Sequence, residues 1–215
     1  MQPVTVCFDF DSTLSTVEGI DELAVRQGVG DALARLTEAA MNGSVALQEV
    51  YARRLELLQP DRDSMTWLSR RYLATITPGA GAVLAELMRL PVTVHIISGG
   101  LRPAILASAA RLGIEAHRVH AVDVHFDAAG GYVDFDHDSP LARSGGKAEV
   151  CRRLAEAGRG LVMVGDGYTD LEAQQAGALM VAFTGVVARP KVVEAADRVL
   201  DDLADLPDLL TDCFA

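Results

Sequence analysis

A run of apolar residues that ends on two aspartates restricts this chain more than any other stretch: Val4-Thr5-Val6-Cys7-Phe8-Asp9-Phe10-Asp11-Ser12-Thr13-Leu14. A near-continuous apolar run reads as a strand buried on both faces, the condition of a parallel sheet covered by helices. Carboxylates are costly to bury without a partner. Two of them at the C-terminal end of such a strand point to a cation, a reaction, or both, at the edge where open α/β sheets carry their sites. The alternation of a strand predicts both carboxylates on one side, unless the following turn splays them. Taken alone, the pair is as well explained as a cap on the next helix.

The rest of the chain repeats this grammar. Strands are predicted over 4–10, 92–97, 119–126, 160–164 and 179–183, and helices over 79–89, 102–112, 145–157 and 168–176. That βαβ alternation gives a Rossmann-like α/β fold, a mainly parallel sheet flanked by helices. Two regions depart from it. Residues 16–76 hold no convincing strand and read as four helices, 20–27, 31–41, 45–58 and 62–73, a helical cap domain inserted after the first strand. The core domain is then 1–15 together with 77–215. Two alternating runs around Asp127-Ala-Ala-Gly130-Gly131 read as a β-hairpin, architectural in role.

Half of the residues are hydrophobic, enough for a sizeable core, while the net charge of −11 argues against nucleic acid or an anionic membrane as partner. An anionic small-molecule substrate must therefore be drawn in by local positive groups. The three cysteines, Cys7, Cys151 and Cys213, show no metal spacing, no apolar run reaches spanning length, and no basic leader precedes the first strand. A reduced, cytoplasmic protein, monomer or homodimer, is expected.

Four segments carry chemistry. Asp9 and Asp11 come first: one carboxylate can act as nucleophile while its neighbour moves a proton. Ile96-Ile97-Ser98-Gly99-Gly100 closes a second strand, offering a hydroxyl and backbone N–H groups that an anion can approach; taken alone, an ordinary strand-to-helix turn explains it better. Lys147, in Ser144-Gly145-Gly146-Lys147, falls near a helix start, where a cation is disfavoured unless an anion is close; a solvated lysine is the plain alternative. Gly165-Asp166-Gly167-Tyr168-Thr169-Asp170 puts two more carboxylates after a buried strand; they suit Mg²⁺ or merely cap a helix. Together the four make a hard-cation site beside an anion cradle, the parts that phosphoryl transfer requires.

In this order the four segments resemble the motifs of the haloacid-dehalogenase-type phosphatases. The stretches Val17-Glu18-Gly19-Ile20-Asp21-Glu22-Leu23-Ala24, Arg54-Leu55-Glu56-Leu57-Leu58-Gln59-Pro60 and Thr77-Pro78-Gly79 extend the likeness to the phosphoserine phosphatase family, over nearly the whole chain. The resemblance implies a Mg²⁺-dependent hydrolysis of L-phosphoserine to L-serine and phosphate, the last step of phosphorylated serine biosynthesis. It implies Asp9 as nucleophile forming an aspartyl-phosphate, and Asp11 as acid and then base. Mg²⁺ would lie among Asp9, the Asp11 carbonyl, Asp166 and Asp170, while Ser98, Gly99, Lys147 and Thr169 would hold the phosphate.

Substrate choice is expected in the cap. Leu47, Tyr51, Arg54 and Leu58 share one helical stripe, so Arg54 falls among apolar residues while Arg53 turns elsewhere. An arginine there needs an anion, and its fork suits a carboxylate. Glu18, just before a helix, either complements its dipole or pairs with an ammonium group. The resemblance implies that Arg54 binds the substrate carboxylate, Glu18 its amino group, and that Met41 closes over it. Leu47 stands where the family often has an aromatic, and Asn42-Gly43 where it often has two glycines, so the pocket packing departs from the family's. A phosphatase for another small phosphomonoester, or a silent phosphometabolite-binding protein, are the competing readings.

Overall fold

The computed structural model describes residues 2–41, 47–155 and 159–214. The chain runs β1 (Val4–Phe8), α1 (Gly19–Gln27), α2 (Gly30–Met41), α3 (Leu47–Leu58), α4 (Arg62–Ala74), α5 (Ala80–Leu87), β2 (Val92–Leu101) and α6 (Arg102–Arg111). It continues through β3 (Val119–Val122), β4 (Val124–Phe126), β5 (Tyr132–Phe135), α7 (Gly146–Leu154), β6 (Gly160–Gly165), α8 (Tyr168–Leu171), β7 (Leu179–Phe183), α9 (Pro190–Ala195), β8 (Arg198–Leu200) and α10 (Leu206–Phe214). Six strands form one parallel sheet in the order β3-β2-β1-β6-β7-β8. Strand β1 is central and all of its residues are buried, as its apolar run requires. The chain leaves β1 for β2 and β3 on one side and returns to β6 on the other, so the C-terminal end of β1 lies at the topological switch point.

Several expected boundaries shift, each for a local reason. Strand β1 stops at Phe8, because the Asp9 carboxylate accepts the Phe10 N–H at 2.7 Å and turns the chain into a tight π-helical turn over Phe10–Leu14. The expected strand over 119–126 is two strands. β3 stays in the parallel sheet, and the chain breaks at the half-buried Asp123 before β4 pairs antiparallel with β5. Ser98, Gly99 and Gly100 lie inside β2 rather than in a turn after it, with an irregular register between Ile97 and Leu101. The helix expected over 168–176 is α8 followed by a 3-10 turn, Glu172–Ala176. Strand β8 was not expected: three residues on an edge, two of them exposed, leave no periodic signal.

Helices α1–α4 leave and rejoin the sheet at one point. The two connecting segments run side by side: Ser15 and Ile76 form an antiparallel bridge, Thr16 N–H donates to Thr75 O at 2.8 Å, and Thr77 N–H to Leu14 O at 2.9 Å. The Thr77 hydroxyl adds a 2.6 Å bond to Thr13 O. The four helices thereby stand over the C-terminal end of β1. Among the described residues no helix is long and apolar enough to cross a membrane.

Candidate active site

The C-terminal ends of β1 and β6 and the start of α7 bring four charged side chains together in the interior. Lys147, in the first turn of α7, places Nζ 2.8 Å from Asp9 Oδ1 and 2.6 Å from Asp170 Oδ1. Asp166, at the end of β6, accepts from the Thr13 hydroxyl at 3.3 Å and pairs with the Arg189 guanidinium. Lys147, Asp9, Asp166 and Asp170 are all at least nine-tenths buried. The glycines of the 165–170 segment make room for this. A Cβ on Gly165 would run into the Asp170 carboxylate, and the Gly167 N–H donates to Asp170 Oδ2 at 2.8 Å.

Burial alone would strip the charge from these groups. For Lys147 it is outweighed by Asp170 and Asp9, which hold the ammonium well above the usual lysine range. For Asp170, burial and then the Asp9 charge win over Lys147 and the Gly167 N–H, pushing the carboxyl up to about 7. The carboxylate excess is what a cation would relieve. Asp9, Asp166 and Asp170 each offer an oxygen, all within 4.8 Å of one another. An all-oxygen donor set of this kind fits a hard divalent ion.

Asp11 leaves this cluster. The turn after Phe8 sends its carboxylate toward the cap, where Oδ1 accepts from the Tyr72 hydroxyl at 2.6 Å and from the Gly19 N–H at 3.3 Å. The expectation that strand alternation sets Asp9 and Asp11 on one side is thus corrected: neither is a strand residue, and the turn splays them. Burial first, then the charges of Glu18 and Asp9, raise the Asp11 carboxyl well above its ordinary value, with the Tyr72 and Gly19 bonds acting in the opposite direction.

Between the C-terminal edge of the sheet and helices α1 and α3 lies a cavity of about 370 Å³. Its floor includes Asp9, Asp11, Ser98, Gly99, Lys147 and Thr169; its cap side includes Glu18, Tyr51 and Arg54. The Ser98 hydroxyl accepts the Gly100 N–H at 3.0 Å. Glu18, immediately before α1, accepts from Ser12 Oγ at 2.7 Å and lies 3.6 Å from Arg189. Arg53 is exposed and pairs with Glu49, whereas Arg54 is half-buried and faces the cavity. The structure therefore brings together Asp9, Asp11, Glu18, Arg54, Ser98, Gly99, Lys147 and Thr169. Asp166 and Asp170 lie beneath them. Met41 ends α2, and its side chain, like residues 42–46, lies outside what is described. A larger, open groove of about 1070 Å³ sits at the opposite end of the strands, beside Gly160, Leu179 and Arg198, away from every motif.

Sequence reading missed three contributors. Arg189 sits in a loop without a motif and reaches both Asp166 and Glu18. Tyr51 was placed on the apolar stripe beside Arg54, but its hydroxyl donates to Gly99 O at 2.9 Å. Tyr72 had no signal at all until the fold set α4 beside Asp11.

The family described as haloacid dehalogenase-like hydrolase matches residues 6–175. The phosphoserine phosphatases of Bos taurus and Homo sapiens are each 38% identical over 203 residues, covering 94% of this chain and 90% of theirs. A solved structure described as a phospho-aspartyl intermediate analogue of phosphoserine phosphatase superposes with a TM-score of 0.79 at 27% identity, covering 99% of both chains.

Proposed function

The chain belongs to the haloacid dehalogenase-like hydrolases, and we propose that the phosphate ester it hydrolyses is L-phosphoserine, giving L-serine and inorganic phosphate. It is a phosphatase. One observation carries the choice of ester. A single small cavity joins a nucleophilic carboxylate and a buried ammonium, Asp9 and Lys147, to a carboxylate and a guanidinium on its cap side, Glu18 and Arg54. A phosphorylated amino acid presents the complementary set: phosphate, ammonium and carboxylate.

Members of this family use a divalent metal, here read as Mg²⁺. Asp9, Asp166, Asp170 and the Asp11 backbone carbonyl would hold it. When bound it supplies positive charge that lets an anionic nucleophile meet an anionic phosphate. The chain's own residues do the rest. Lys147 holds Asp9 in place and neutralises a second share of the phosphate charge. Ser98 Oγ and the Gly99 N–H orient the phosphate oxygens, with Thr169 beside them. Asp9 attacks phosphorus; the ester P–O bond breaks as Asp11 gives its proton to the departing serine oxygen. Asp11, now a base, takes a proton from water, whose oxygen attacks the aspartyl-phosphate and frees Asp9. Residues 16–76 act as a cap domain over a core of 1–15 and 77–215, a reading supported by the paired segments at Ser15 and Ile76. A cap shut over the cavity keeps bulk water from the first step.

The test is phosphate release from L-phosphoserine beside phosphothreonine, phosphoethanolamine and glycerol phosphate, with Mg²⁺ and after chelation. L-phosphoserine should have the highest kcat/KM, with activity lost on chelation and restored by Mg²⁺. Preference for an ester lacking either the amino or the carboxylate group would sink the substrate assignment.

A further inference from the structure

The mechanism needs Asp11 to hold a proton on one particular oxygen, and the structure contains a device for choosing it. Tyr72 is fully buried on α4, a cap helix, yet its hydroxyl donates to the Asp11 carboxyl of the core at 2.6 Å. The Gly19 N–H donates to the same oxygen, Oδ1, at 3.3 Å. An oxygen that accepts from two donors is a poor place for a proton. The other oxygen, Oδ2, lies beside Gly100, a residue that lines the cavity: a Cβ built there would sit 3.2 Å from it.

Three neighbours fix the phenol. The Phe10 ring meets it edge-on, centroids 4.7 Å apart at 86°. Gly19 lacks the side chain that would occupy the hydroxyl's place, since a Cβ there would overlap the Tyr72 Oη. Asp11 itself is the third. Buried phenols need an acceptor, and this one has been given the carboxyl that must deliver a proton.

Resting on the phosphatase reading above, we propose that Tyr72 is a positioning residue, reaching from the cap to hold Asp11 Oδ1 so that Oδ2 carries the proton to the leaving oxygen. With the bond made, the acid is aimed; without it, the carboxyl can turn, and the proton is shared between two oxygens of which one faces away from the substrate. General acid catalysis in positioned systems contributes about 10²–10⁴-fold, so losing the aim forfeits a part of that.

Tyr72→Phe removes the hydroxyl and keeps the ring against Phe10. First-turnover serine release from L-phosphoserine should fall about 10-fold or more, with KM within about twofold. Phosphoryl transfer from acetyl phosphate, whose acetate departs without a proton, should stay within about twofold of wild type. Gly19→Ala, which displaces the hydroxyl from the other side, should reproduce the selective loss, and it carries the test if Tyr72→Phe fails to fold in a thermal melt. Equal losses on the two compounds, a loss confined to KM, or an unchanged rate on L-phosphoserine would each overturn the role of Tyr72. Wild-type protein inert toward L-phosphoserine would instead overturn the L-phosphoserine assignment, so the two failures are told apart.

Discussion

The two walls of the cavity are held in different ways. On the core wall, charges answer each other at short range and out of water: Lys147 lies 2.8 Å from Asp9 and 2.6 Å from Asp170, with side chains 6%, 11% and 0% exposed. Two strands and a helix start fix these groups, so none can move without leaving a buried charge unpaired. The cap wall is looser. Glu18 and Arg189 are 3.6 Å apart with side chains 44% and 35% exposed, and Arg54 is carried on a helix, α3, whose Tyr51 hydroxyl donates to Gly99 O on the floor. Tightly held charge suits chemistry, which needs fixed geometry before the substrate arrives. Looser charge suits selection, which is completed by the ligand's own groups.

That contrast breaks if the walls fail differently from this. Asp9→Asn should give the largest effect, a fall in kcat of about 10⁴-fold or more with no covalent phosphoenzyme on acid quench, because the attacking carboxylate is gone. A variant that keeps a tenth of the wild-type kcat would mean that Asp9 is not the attacking group. Arg54→Ala should act on the other wall. Removing a charge-assisted, bidentate partner costs about 1.5–3 kcal/mol, read as a KM for L-phosphoserine raised about 10–100-fold and kcat changed far less. Phosphoethanolamine, which has no carboxylate, should be cleaved equally by variant and wild type. If Arg54→Ala lowers kcat and leaves KM alone, the cap wall takes part in the chemical step and the division of labour is wrong.

The same contrast governs how much was legible in the sequence. The core wall was readable because it is built from strand ends. An apolar run that stops at Asp9, another that stops at Asp166, and Lys147 at an unfavourable helix start each break a local rule, and broken rules mark sites. The cap wall was readable only where one residue broke the pattern of its own helix, as Arg54 does on the apolar stripe of α3. Tyr51 and Tyr72 fit their helices as apolar residues; what sets them apart is a hydroxyl whose partner is 48 or 61 positions away. Arg189 follows no period and precedes a proline, so nothing local distinguishes it. The fold was legible at the level of strand and helix order. It was not legible at Phe8, where a side chain–backbone bond ends β1 early, nor at Asp123, where one apparent strand becomes parts of two sheets.

The smallest effect asks whether acid sensitivity belongs to the site or to the sheet that carries it. On β2 and β3, His95 Nδ1 and His120 Nε2 lie 3.0 Å apart, rings stacked with centroids at 5.2 Å. Burial, and then the neighbouring His120, lower the His95 imidazole from 6.5 to about 4. Its unfolded counterpart takes up a proton near 6.5, so between those values the unfolded chain binds more protons. The contribution to stability is therefore complete above about pH 6.5 and is lost as the pH falls toward 4. Because the pair is half-buried and solvent screens it, about 1 kcal/mol is expected. Asp170 works the other way: its carboxyl, raised to about 7, takes up a proton in the folded state first and adds stability on acidification. A bare pH–stability curve mixes the two. The difference between wild type and a His95→Phe, His120→Phe double variant, which keeps two stacked rings, cancels the Asp170 contribution. Urea unfolding of both from pH 7.5 to 4 should show the gap closing in the variant's favour by about 1 kcal/mol. Parallel curves would remove the histidine pair as a source of acid sensitivity; the raised Asp170 carboxyl, which adds stability on acidification, cannot take its place.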